Sequence, residues 1–86
     1  MRRHIQPEYA WWLIAGGNNI LLPVIVFRKQ KQSLAIDLAG LVTGAEQVIE
    51  YDFAAMNERA DTLTTTEIEV PPMKPNGVLL FALARP

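Results

Sequence analysis

The chain carries one histidine, His4, one serine, Ser33, and no cysteine. Nucleophilic catalysis needs a hydroxyl or thiol beside a base that a third group orients. His4 stands in a basic terminus and Ser33 in a basic loop, neither with a partner at triad spacing. The missing cysteines remove thiolate chemistry, Cys-based zinc sites and a disulfide framework. Gly16-Gly17 runs into Asn18-Asn19 and an apolar stretch, not into a helix N-terminus, so there is no phosphate loop. Two carboxylate pairs remain, Glu50 with Asp52 and Glu67 with Glu69. Spacing of i and i+2 puts each pair on one strand face, where it could raise a pKa or hold a hard cation. A solvated sheet face accounts for the same spacing and is the expected reading. No catalytic residue, metal ligand or cofactor is assigned, and the chain is not expected to be an enzyme.

Binding chemistry is better supplied. Phe27-Arg28-Lys29-Gln30-Lys31 sets cations beside an aromatic, as nucleic-acid contacts do, but one ring is too few to stack bases. Eight Lys and Arg against nine Asp and Glu give a net charge of −1, which argues against a general polyanion binder. Three cations in such a loop also keep a strand edge from pairing. Tyr9 and Trp11-Trp12 are large rings close together, and an extended segment cannot point both tryptophans into so small a core. The partner-binding candidates are Tyr9, Trp11, Trp12, Arg28, Lys29 and Lys31.

Charge is also divided along the chain. Residues 1–32 carry a net +4, residues 33–70 a net −7, and Lys74 with Arg85 restore the balance. Such halves either neutralise each other inside the fold or bring a basic edge against the acidic face of a neighbouring copy.

The elements that hold these residues read mainly as strands. At 86 residues, half of them hydrophobic and 20% charged, the chain is one small domain, too apolar for disorder and too short to bury a large core. The stretch Trp11 to Phe27 is 17 residues long and broken by Gly16, Gly17, Asn18, Asn19 and Pro23, so neither a membrane span nor, with Glu8 before it, a signal peptide is expected. Pro7 to Ala15 fits a short helix or an aromatic strand. Ile20 to Phe27 reads as a strand covered on both faces, with Pro23 demanding a sheet edge or a bulge. Leu34, Ile36 and Leu38 alternate with Ala35, Asp37 and Ala39, as in a half-buried strand joined to the previous one by a basic hairpin loop. Ile49, Tyr51 and Phe53 share one parity and Glu50 and Asp52 the other. Ala54 to Asp61 fits one or two polar helical turns. Thr62 to Val70 is β-branched, yet Leu63 lies out of phase with Ile68 and Val70, which predicts a break near Thr64 to Thr66. Pro71 to Pro75 is extended, Asn76-Gly77 is a turn, and Val78 to Ala84 is the last strand. The pattern predicts an all-β fold: a small antiparallel β-sandwich or open barrel of about five strands, with an N-terminal aromatic helix or arm over 1–19 and one β domain over 20–86.

Val48-Ile49-Glu50-Tyr51-Asp52-Phe53, Asp61-Thr62-Leu63 and Ile68-Glu69-Val70-Pro71 together resemble the core of small β-sandwich virion proteins of tailed bacteriophages, such as fiber-tail adaptor modules. There an acidic-aromatic strand, a short turn and a "D-T-I/L" step lead to a Thr-rich strand ending in "V-P". Residues 1–47 have no counterpart, and Phe53-Ala54 stands where the pattern has Trp. The resemblance implies a non-enzymatic structural protein of the virion, assembled in the host cytoplasm. It would be present in many copies and bind other virion structural proteins and copies of itself, as a tail or fiber adaptor or a capsid decoration. The alternative is a small soluble inhibitor or regulator that binds a host protein or nucleoprotein through its acidic segment.

Overall fold

Stretches that are apolar on both parities occupy the middle of the fold. In the computed structural model, which describes residues 2–85, these are β3 (Asn19–Val26) and β8 (Val78–Ala84), paired antiparallel at the centre of a six-stranded sheet. Its order is β1-β2-β3-β8-β5-β6, with β1 (Arg2–Ile5), β2 (Tyr9–Gly16), β5 (Gln47–Asp52) and β6 (Asn57–Thr62). A second, two-stranded sheet pairs β4 (Leu34–Asp37) with β7 (Glu67–Val70). Every ladder is antiparallel, and there is no helix among the described residues. The fold is all-β and sandwich-like, with two layers of unequal width.

The core lies between the layers. Leu13, Ile20, Leu22, Val24, Val48, Leu79, Phe81 and Leu83 of the large sheet meet Ile36, Ile68 and Val70 of the small one and Leu38 just after β4. Each such side chain removed from water contributes roughly 1.5–3 kcal/mol. β4 and β7 are apolar on one parity only, so they fit as a cover whose Ala35, Asp37, Glu67 and Glu69 stay exposed.

Several expectations are corrected. Eight strands form among the described residues, not about five. The aromatic segment expected as an arm over 1–19, left open between helix and strand, pairs as β1 and β2 inside the large sheet. Pro23 lies in a central strand, neither at an edge nor at a bulge: Trp12 and Leu13 drop out of the β2–β3 pairing opposite it, and the same register resumes at Ile14↔Leu21. The missing N–H is thereby confined to one side of β3, while Pro23 still aligns with Leu80 on the other. β3 and β4 are not a hairpin, because β3 is flanked by β2 and β8, and the basic segment 28–33 crosses from one sheet to the other. The polar stretch expected to be helical is a turn followed by β6. Asp52 Oδ1 accepts the N–H groups of Ala54 and Ala55 at 3.1 Å, and Met56 takes a φ of 52° to close the hairpin. The break expected near Thr64 to Thr66 is present, separating β6 from β7.

Candidate interaction surface

Side chains directly across from one another in a ladder share a face, so the registers sort the large sheet into rows. One row runs Arg3, Trp12, Pro23, Leu80, Tyr51, Glu58 from edge to edge. The row above it holds Ile14, Leu21, Ala82, Ile49 and Ala60, and the row below Ile5, Ala10, Ile25 and Val78. All three rows lie on the side away from the small sheet. Between the two edge strands every residue in them is apolar apart from the Tyr51 hydroxyl. No other strand lies over this side among the described residues. Ile14, Leu21 and Ile49 are 44%, 40% and 38% exposed, and Trp12, Pro23, Ile25, Val78, Leu80 and Tyr51 are half-buried by their neighbours in the sheet. A depression of about 350 Å³ lies around Ala82 and Ala84, bordered by Leu21 and Ile49 and, on its far side, by Asn19 and Gln47.

β3 was expected to be covered on both faces and is covered on one. β5 shows why parity alone misleads. Its Ile49/Tyr51 parity faces out and its Val48/Glu50/Asp52 parity faces the inner side, the reverse of an apolar-inward assignment. Glu50 lies opposite Arg59 on β6 and pairs with it at 3.5 Å, and Asp52 holds the turn, so this carboxylate pair is absorbed by local structure. Glu67 and Glu69 are exposed on the small sheet. No group of three or more His, Cys, Asp or Glu close enough to hold a metal occurs among the described residues.

The candidate aromatic residues divide between the two faces. His4 stacks at 5.7 Å from both Tyr9 and Trp11, and Trp11 packs against the core. The Gln6 amide reaches His4 Nε2 at 2.7 Å. Trp12, one residue on, is turned to the uncovered side. Arg28, Lys29 and Lys31 are exposed in the crossing segment just beyond the end of β3, outside the three apolar rows. Arg28 lies 3.9 Å from Glu8. Both ion pairs found among the described residues join groups within one charge half, so neither links the basic half to the acidic one.

Glu46 was not singled out from sequence. It is 1% exposed, and its carboxylate accepts the N–H groups of Thr43 (2.8 Å), Gly44 (2.9 Å) and Ala45 (3.1 Å) and the Thr43 hydroxyl (3.0 Å). Burial pushes its pKa up, but the backbone N–H groups of Thr43, Glu46 and Gly44 and the Thr43 hydroxyl outweigh that and bring it down to about 2. Gly44 must be glycine: its φ is 92°, and a Cβ there would meet the Thr65 backbone at 3.3 Å. The available signal was Thr43 with Glu46 three residues on, a capping pair that here closes a loop without a helix.

Comparison with protein-family models, with curated proteins and with solved structures finds no match.

Proposed function

We propose that the chain is a non-enzymatic assembly subunit, held among neighbouring proteins through the uncovered face of its six-stranded sheet, and that its setting is the virion of a tailed bacteriophage as a tail or fiber adaptor or a capsid decoration. The observation that carries the assembly reading is the set of three apolar rows from β2 to β5. An antiparallel sheet open to water on one side ordinarily alternates apolar-in and polar-out. This sheet is apolar on both sides. With strands ~4.8 Å apart and rows ~6.8 Å apart, the apolar positions from β2 to β5 span on the order of 360 Å², and the face with its edge strands roughly 500 Å², a size that occurs at interaction sites. The virion setting is supported by the strand-turn-strand pattern of residues 48–71.

The test is quantitative mass spectrometry of purified phage particles whose genome carries the chain. Many copies per particle are expected, with fewer when Ile49→Lys replaces the native chain, and the association should withstand high salt because it is apolar. Particles without the chain would end the virion reading. Loss in moderate salt would instead favour an inhibitor acting through the acidic segment.

A further inference from the structure

We propose that the occupant of the uncovered face is a second copy of this chain, packed face to face about a two-fold axis that runs parallel to the strands between β3 and β8. The inference rests on the assembly reading above and names its partner.

The strand order puts the midline of the large sheet between β3 and β8. Rotation about an axis along that midline lays β3 on the second copy's β8, β2 on its β5 and β1 on its β6, with each row kept at its own height. The middle row then meets itself reversed. Arg3 comes over the second copy's Glu58, Trp12 over its Tyr51 and Pro23 over its Leu80, and the symmetry supplies each contact twice. Arg3 and Glu58 stand at opposite ends of one row and on the same side of the sheet, with only apolar residues and the Tyr51 hydroxyl between them. The other in-plane axis, across the strands, would set β1 on β1 and β6 on β6, opposing Arg3 to Arg3 and Glu58 to Glu58. Charge therefore selects the first axis.

Shape agrees with it. In the row above, the second copy's Leu21 falls over Ala82, where the sheet has its depression, and Ile14 falls over Ile49. Twisted sheets packed with strands aligned cross at about −30° and lie ~10 Å apart, a distance that Arg and Glu side chains at the edges can bridge. The area suffices. Two faces of roughly 500 Å² each, edge strands included, bury about 1,000 Å², the size that a specific interface needs.

The test is sedimentation equilibrium of the purified full chain across the micromolar range, with four companions. Ile49→Lys and Leu21→Lys place a charge in the middle of the face, at positions exposed enough to leave folding intact, which urea unfolding verifies for each. Arg3→Glu and Glu58→Arg each oppose like charges twice per dimer. The expected results are a wild-type dimer, monomers for both lysine variants, and dimers weakened roughly tenfold for each reversal. An equimolar mixture of the two reversal chains is decisive for the axis. In the mixed dimer every Arg again meets a Glu, so mixed dimers should form more tightly than either parent dimer.

A folded wild-type monomer overturns the inference, as does a dimer indifferent to both lysine variants. Mixed chains that associate no better than their parents overturn the axis. If the monomer instead floats with phosphatidylcholine vesicles, the face belongs to lipid and the inference falls. A monomer still counted in many copies per particle gives the face to a different subunit and leaves the assembly reading standing. A dimer absent from particles keeps this inference and ends the virion setting.

Discussion

The two faces of the six-stranded sheet are built from the same strands and almost the same residue types, yet only one of them is closed. On the inner face, Leu22, Leu79 and Phe81 are out of water because β4 and β7 lie over them. On the outer face, Leu21, Leu80 and Ile49 occupy neighbouring positions along the same strands with only solvent above. Apolar composition therefore does not separate core from surface here. What separates them is the reach of the second layer: two four-residue strands with one apolar parity each can cap one side of a six-stranded sheet and no more.

Alanine substitution should break that symmetry of composition most sharply. Phe81→Ala on the inner face is expected to cost about 3–5 kcal/mol in urea unfolding, through lost transfer energy and a cavity. Leu80→Ala, one residue away on the other face, should cost under ~1 kcal/mol in dilute monomer, since nothing packs over it. Equal losses would show that the outer face is covered as well.

The rim of the closed side gives the next effect. Glu46→Ala should cost about 1–3 kcal/mol by leaving the N–H groups of Thr43, Gly44 and Ala45 without their acceptor. The carboxyl has a pKa of about 2 in the folded chain against 4.5 for an unperturbed glutamate. Between those values the unfolded chain binds the additional proton, so the contribution of Glu46 is full above pH 4.5 and lost as pH falls toward 2. Glu46→Gln should flatten that part of the stability profile, measured by unfolding between pH 2 and 5; an unchanged profile would show that the carboxylate is not held as described.

Two smaller changes probe exposed residues of the β5–β6 hairpin. Met56 is 90% exposed at a φ of 52°, so Met56→Gly should raise stability by about 0.4–1 kcal/mol, seen as a higher melting temperature. Arg59→Ala should cost roughly 0.2–1 kcal/mol and less in high salt, because the Arg59 side chain is largely in water. A larger or salt-independent loss at Arg59 would mean that this edge is as well packed as the centre.

The sequence announced strands wherever β-branched or alternating residues ran without interruption, and β3, β4, β5 and β8 lie where the pattern put them. It also announced the break at Thr64 to Thr66, from the phase mismatch of Leu63 with Ile68. It did not announce partners. Pairing of β3 with β8 joins residues far apart in the chain, and no local signal distinguishes that from a β3–β4 hairpin. Nor did alternation say which parity of β5 faces inward, since that depends on where the small sheet lies. The segment of β2 fitted helix and strand alike, and β1 and β6 were missed for a related reason: Arg2–Ile5 and Asn57–Thr62 are polar segments that extend only because a neighbouring ladder recruits them. The uncovered face was legible in outline, as a run apolar on both parities, but seeing it needed the rows that pairing creates.

The place of β8 carries a consequence for how the molecule comes into being. It is the latest strand in chain order and the one that joins β3 to β5. Until it is delivered, β1-β2-β3 and β5-β6 are two unconnected ribbons, each with a greasy flank and a bare margin. The sheet thus has a keystone that arrives last, which makes closure a slow, non-local event and leaves the nascent polypeptide dependent on swift completion to avoid sticking to its siblings.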